Sequence, residues 1–457
     1  MIDCLPATGS EPLLPLGAGI LILLLGLALV MRPRRRVRRP GRSTPPAAGG
    51  AATLSIALLL AMSVGLGTLG GAAPAARADT RCDTTPIATT TPVPTPEPAA
   101  ILPDQPVSFD SGGVTFSGSY RGPVDPTHAV AAAVIIGGTG AIDRDGNTAT
   151  LATEDYSWLA DLLSSEGIAS LRYDKLGTGQ TGLGPYTSDP SAMLALDYDQ
   201  LRIRPGRDAL SFLATQPGID TNRLILVGHS EGGAAALTIA ADLAGAPAPA
   251  GLALIEPAYT HILDILTRQF SEQMTGAVAA GAMTEADAET ITAWMTAGVD
   301  EIRTATPPYP TPGPVPLPAA TDYTQAIQAV IETNIYGSDP AQMVVTHAYR
   351  TLYGKGYDAL DPADVAPSVT IPTLITCGTK DFNTPCGDGS AGSGVVALAD
   401  SFSPGVARFV ELPNMVHILR DVGDADVPNL ADQLAYPFSS ALSAEFGTFV
   451  AGVREGK

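Results

Sequence analysis

Gly228-His229-Ser230-Glu231-Gly232 constrains this chain more than any other stretch. It follows Leu224-Ile225-Leu226-Val227, an apolar, β-branched run of the kind that makes a buried strand. It precedes Ala234 to Leu243, alanine-rich and strongly helix-forming. A strand that enters a helix through Gly-x-Ser-x-Gly must turn sharply between two closely packed elements, and a Cβ at either flanking glycine would clash. Such a turn exposes the Ser230 hydroxyl and aims the next amide, that of Glu231, at the same point. In a chain with 48 glycines the bare pentapeptide can also be a structural turn. The flanking strand and helix favour a nucleophile.

A serine hydroxyl is a weak nucleophile until a base takes its proton. The chain has five histidines. His128 precedes a predicted strand, Ala129–Ile136, on the wrong side of the sheet, and His229 lies inside the turn, where it is expected to pack. His261 and His347 fall in a long insertion. His417 is left. It follows the strand-like Arg408-Phe409-Val410-Glu411-Leu412 in the loop Pro413-Asn414-Met415-Val416-His417, with a satisfied surface or core histidine as the alternative. An acid that orients the ring should precede it in the chain and follow the serine. Thr373-Leu374-Ile375-Thr376-Cys377 reads as a strand that delivers Asp381 just past its end, where the carboxylate would hold the imidazole tautomer. Asp388 in the same loop and Glu256 after the strand Leu252–Ile255 are rivals.

A second oxyanion donor should come from an earlier strand–helix loop. Val134-Ile135-Ile136 ends in Gly137-Gly138-Thr139-Gly140, so the amide of Thr139 pairs with that of Glu231 as the predicted oxyanion hole. A nucleotide-phosphate loop can look similar, but the third glycine and the helix start of a dinucleotide fingerprint are missing.

Three stretches together resemble bacterial serine hydrolases of the α/β-hydrolase superfamily, in the esterase, dienelactone-hydrolase-like and serine-aminopeptidase-like group. They are Gly-Thr-Gly with Asp143-Arg144-Asp145-Gly146-Asn147, then Arg172-Tyr173-Asp174-Lys175-Leu176-Gly177-Thr178-Gly179, and Gly-His-Ser-Glu-Gly-Gly. The similarity covers roughly residues 105–455 with a divergent middle. Leu176 stands where the family often has arginine, which puts one rim contact in doubt. The resemblance implies hydrolysis of a carboxylic ester, or an amide, through an acyl-enzyme, with no metal and no organic cofactor. It does not identify the substrate, because one fold hosts many functions.

The formal charge is −20. Residues 1–78 hold eight arginines against Asp3 and Glu11, so the remainder has 18 basic and 44 acidic residues, a net of −26. Such a surface repels nucleic acid and anionic membranes, and neither is an expected partner. Leu13 to Met31 is apolar and long enough to span a bilayer, and it ends against the arginine-rich run Arg32 to Arg39. Leu5-Pro6-Ala7-Thr8-Gly9 looks like a sortase recognition motif, which normally closes a wall protein; here it reads as a start site placed too early or a relic of fusion. A second apolar stretch, Ala51 to Leu69, leads to Ala76-Arg77-Ala78, a secretory signal with cleavage expected after Ala78. The catalytic part is therefore expected to be exported, extracellular or at the cell surface. Membrane contact is expected only through these N-terminal segments.

Residues 1–78 thus form the targeting region and 79–104 a Thr/Pro-rich spacer of extended polyproline II character. Residues 105–457 form an α/β domain, predicted as a mostly parallel sheet with helices on both faces. A β-hairpin (Pro106 to Arg121) opens it, and strands and helices then alternate. Between 258 and 370 the alternation breaks. Residues 260–303 read as helical, a proline run spans Pro307 to Pro318, and helix resumes near Asp322. This insertion is expected to be a helical cap over the serine, with Trp294, Tyr323 and Tyr336 expected in its own core and substrate contact as their alternative.

Cys377 and Cys386 bracket Asp381. A disulfide between them, permitted outside the cell, would pin the acid; two reduced thiols are the alternative. Two other function classes stay open. An acyltransferase would share the Ser230 chemistry and pass the acyl group to an alcohol or sugar. A non-catalytic surface-binding protein would be expected to lack one of Ser230, Asp381 or His417, and all three are present.

Overall fold

The structure, a computed structural model, describes residues 98–279, 281, 284–304, 352–387, 393–427 and 430–457. The predicted targeting segments, most of the spacer, the proline run with the helix after it, and Asp388 lie outside the described residues. Among the described residues no helix is long and apolar enough to cross a membrane.

Eight strands form one sheet: β1 (Gln105–Ser111), β2 (Val114–Arg121), β3 (Val130–Ile136), β4 (Ala169–Tyr173), β5 (Ile219–His229), β6 (Gly251–Ile255), β7 (Thr373–Gly378) and β8 (Ala407–Leu412). Their spatial order is β1-β2-β4-β3-β5-β6-β7-β8. The β1–β2 and β2–β4 pairs are antiparallel and every other pair is parallel. β1 and β2 form the expected hairpin, which turns through Gly112 and Gly113 at positive φ.

The helices are α1 (Asp155–Ser165), α2 (Arg204–Ala214), α3 (Glu231–Ala241), α4 (Ile262–Ala279), α5 (Glu285–Thr304), α6 (Leu352–Asp358), α7 (Pro362–Val365), α8 (Gly394–Asp400), α9 (Leu430–Gln433) and α10 (Ser440–Glu455). Two-residue periodicity sends alternate strand side chains to opposite faces. Ala132, Val134 and Ile136 pack with Leu210, Leu213 and Leu237 of α2 and α3. Ala131, Ala133 and Ile135 pack with Leu159, Leu163, Phe446 and Val450 of α1 and α10. Both faces are thus covered, which is why the central strands read as unbroken apolar runs.

Two elements depart from expectation. β5 starts at Ile219, ahead of the apolar run that begins at Leu224, because Ile219 pairs with Val130 before a register shift, although Asp220 to Asn222 are too polar to suggest a strand. A single π-helical turn, Asp199–Ile203, precedes α2 and delivers Arg202 into the interior.

The described part of the predicted insertion is helical (α4 to α7). Arg303 of α5 ties it together, donating to Asp358 Oδ2 at 2.7 Å and Asp264 Oδ1 at 2.8 Å. Arg268 of α4 donates to the carbonyls of Phe382 (2.6 Å) and Asn383 (2.8 Å), and Gln269 donates to Asn383 (2.9 Å). α4 is thereby fixed to the loop after β7. The loops after β3, β5, β6, β7 and β8 all leave the same edge of the sheet. β3, which pairs with both β4 and β5, marks the strand-order reversal where open α/β sheets place ligands.

Candidate active site

Ser230 follows β5 and caps α3 with φ 56° and ψ −124°, a strained backbone for any residue with a side chain. The glycines around it leave the room this needs. A Cβ on Gly228 would lie 2.2 Å from the Gly232 carbonyl oxygen, and one on Gly232 would lie 2.1 Å from that of Ile136. The turn is pinned by the amides of Gly233 (2.9 Å) and Ala258 (3.0 Å), which both donate to the Ser230 carbonyl. Gly138 brings a second loop against it. A Cβ there would sit 2.9 Å from Ser230 Cβ and 3.4 Å from Ser230 Oγ.

His417, in the loop after β8, has Nδ1 2.7 Å from Asp381 Oδ2. Asp381 is buried, and its oxygens also accept from the Asn383 amide (2.7 Å), the Thr384 amide (3.1 Å) and the Thr384 hydroxyl (2.8 Å). An ionised carboxylate only accepts, so His417 Nδ1 carries a hydrogen and Nε2 is the ring's acceptor when neutral. Burial pushes the Asp381 carboxyl up, but the His417 ring, Glu256 and the Thr384 hydroxyl outweigh it and hold it well below the usual carboxylate range.

Glu256, the rival acid after β6, sits beside this pair. An oxygen of Glu256, an oxygen of Asp381 and a ring nitrogen of His417 lie within 4.8 Å of one another. Glu256 Oε2 accepts the Gly378 amide at 2.8 Å. Complete burial, reinforced by the Asp381 charge, raises its pKa well above normal. Two carboxyls sharing one site do not both ionise readily; Glu256 keeps its proton and Asp381 holds the charge. The same three groups have metal-ligand character, but here Asp381 and His417 are already committed to each other.

His229 does more than pack. Its Nε2 lies 3.0 Å from the His417 carbonyl, which can only accept, so Nε2 is the donor. In the neutral ring Nδ1 is then an acceptor, and the Tyr156 hydroxyl, 3.2 Å away, donates to it. That hydroxyl in turn accepts the Gly138 amide at 2.7 Å. One buried chain of hydrogen bonds therefore joins the loop after β3 to the backbone of His417 through His229, the residue before Ser230. Burial, with the neighbouring His417 ring, lowers the His229 pKa to about 3, so the ring stays neutral as this chain requires.

Thr139 lies in the loop against Ser230; Glu231 begins α3, and its side chain turns inward to a buried ion pair with Arg202 (Nε to Oε1, 3.0 Å). Arg202 also donates to the Gly137 carbonyl and Lys175 to that of Gly138. The second family-like stretch meets the first here: Asp174 accepts from the Arg144 amide (2.8 Å), the Arg144 guanidinium (3.0 Å) and the Gln180 amide (2.7 Å).

Cys377 and Cys386 are joined by a disulfide with a Cα–Cα separation of 5.2 Å, closing the loop that carries Asp381 and Thr384. Of the remaining histidines described, His128 is exposed beside Asp125 and His261 donates to the Asp358 carbonyl. Tyr156, Arg202, Lys175 and Thr384 were not singled out as site residues from the sequence. Tyr156, Arg202 and Lys175 each act on a group distant in sequence, so chain order offers no signal for them, whereas Thr384 lies only three residues past Asp381, in the loop the sequence had already marked.

No model of a known protein family matches the chain, and no curated protein matches it. Solved structures do. A proline iminopeptidase from Mycobacterium smegmatis aligns at 17% identity and a TM-score of 0.43, over 77% of this chain and 99% of that one. The esterase domain of a Rhodothermus marinus protein aligns at 15% identity and 0.37, over 77% and 98%. A thermophilic esterase from Thermogutta terrifontis aligns at 17% and 0.37, over 69% and 92%. Eight strands in the order 1-2-4-3-5-6-7-8, with a strained serine between β5 and α3, give this chain the fold of the α/β-hydrolase superfamily.

Proposed function

We propose that the protein is a serine hydrolase that cleaves a carboxylic ester, or an amide, through an acyl-enzyme on Ser230. The observation that carries this reading is the 2.7 Å contact between His417 Nδ1 and buried Asp381, with the His417 ring set at a tilt beside that of His229, the residue before Ser230, at a centroid distance of 4.8 Å. In this reading His417 Nε2 takes the Ser230 proton as Oγ attacks the carbonyl carbon. Asp381 stabilises the imidazolium that results. The amides of Glu231 and Thr139 take the oxyanion. His417 then protonates the leaving alcohol or amine, and water attacks the acyl-enzyme by the reverse path. The helices of the 258–370 insertion act as a cap over the serine. The N-terminal sequence supports export, so the enzyme works outside the membrane, with contact to it only through the N-terminal segments.

A screen of p-nitrophenyl esters and aminoacyl amides on the full chain tests the reading. Turnover that disappears in Ser230→Ala supports it. No turnover of any member by the wild type counts against it. Product analysis with and without an added alcohol separates hydrolysis from acyl transfer by the same residues.

A further inference from the structure

We propose that Lys175 is a positioning residue for the oxyanion site: by holding the Gly138 carbonyl it fixes the Gly138–Thr139 peptide plane and with it the direction of the Thr139 N–H. This rests on the serine-hydrolase reading above. Lys175 leaves β4 two residues past Tyr173, in a tight turn whose Lys175 carbonyl accepts both the amide and the hydroxyl of Thr178 at 3.0 Å. Its side chain runs inward, is buried, and ends on the Gly138 carbonyl oxygen. A trans peptide is planar, so its C=O and the following N–H point in opposite directions. Holding the Gly138 oxygen on the Lys175 side therefore turns the Thr139 N–H to the other side of the loop. Gly138 itself abuts Ser230, as the 3.4 Å from its would-be Cβ to Oγ shows.

The neighbouring bonds make this a fixed plane rather than a loose contact. The Gly138 amide is taken by Tyr156 (2.7 Å), and the Gly137 carbonyl by Arg202. On this stretch three successive polar groups are committed to buried side chains, and the next amide in line is that of Thr139. Among the described residues, no carboxylate forms an ion pair with Lys175 within 4 Å. Burial, with the nearby Arg202 charge, lowers its pKa to about 7, against the smaller opposite pull of Glu231 and Asp143. Keeping an amine here is costly, and packing alone would be served by methionine. Neutral or charged, the amine still donates to the carbonyl.

The test compares wild type, Lys175→Met and Lys175→Arg on p-nitrophenyl acetate, with melting temperature measured alongside. Losing an oxyanion donor outright costs about 10²–10³ in kcat; a misdirected one should cost about 10–10². Lys175→Met should lose that much kcat with KM within about threefold of wild type and the fold intact, and Lys175→Arg should recover most of it. A folded Lys175→Met with wild-type kcat overturns the proposal. If Lys175→Met does not fold, Lys175→Ala with added propylamine decides. Return of kcat with the amine supports the positioning role, and no return in a folded variant overturns it. Fluorophosphonate labelling of wild-type Ser230 separates the two levels. Absence of labelling sinks the hydrolase reading and this proposal with it, whereas labelling together with an unaffected Lys175→Met sinks this proposal alone.

Discussion

Replacing His229 with glutamine should change how stability depends on pH, not merely lower it. Burial and the His417 ring hold the His229 pKa at about 3 in the folded chain, whereas an unfolded histidine titrates at about 6.5. Between those values the unfolded chain binds a proton that the folded chain refuses. Stability therefore rises with pH across the window and is lost as pH falls from about 6.5 toward 3. One unit is worth about 1.4 kcal/mol, so going from pH 7.5 to pH 5 removes about 2 kcal/mol through this ring alone. His229→Gln should be the less stable protein at pH 7.5, since Tyr156 and the His417 carbonyl lose well-placed partners. Its deficit should shrink by about 2 kcal/mol at pH 5. Urea unfolding of both proteins at the two pH values measures this double difference, in which the other titrating groups cancel to first order. A deficit of the same size at both pH values would refute the buried neutral ring and the hydrogen-bond chain built on it.

Gly138→Ala places a Cβ 2.9 Å from Ser230 Cβ, so loop or serine must shift by several tenths of an ångström; we expect kcat to fall about 10²-fold, read in steady-state ester hydrolysis. Gly452→Ala is its control, because nothing lies within 4 Å of the new methyl in α10, and it should leave turnover alone while adding about 0.5–1 kcal/mol of stability. Mild reduction of Cys377–Cys386 should lower activity before the sheet unfolds, since the bridge closes the loop carrying Asp381; its stabilisation is at most about 2–3 kcal/mol. Peptide mapping without reduction checks the bridge itself, and alkylation of either cysteine in the native protein would contradict it.

The strands were legible because both faces of the sheet are covered, so β3, β5, β6 and β7 appear as apolar runs between turn residues. The serine was legible because its strained turn demands glycines at fixed offsets, and Gly228 and Gly232 have no room for a Cβ. Asp381 and His417 could be placed because each follows a recognisable strand. What stayed hidden depends on side chains that meet only after folding. His229 touches His417 across 188 positions, Tyr156 touches His229 across 73, and Arg202 reaches Gly137 across 65. Nothing local marks such partners. The π-helical turn that aims Arg202 and the early start of β5 were hidden for the same reason, because tertiary pairing overrides what the polar local sequence suggests.

The central claim is that Ser230 is a nucleophile driven by His417 and Asp381. Treating the full chain with a fluorophosphonate and mapping the modified peptide by mass spectrometry tests it most directly. One adduct on Ser230, lost in Ser230→Ala and slowed by orders of magnitude in His417→Gln, is the predicted result. An unlabelled wild type, or labelling that persists in Ser230→Ala, would contradict the account.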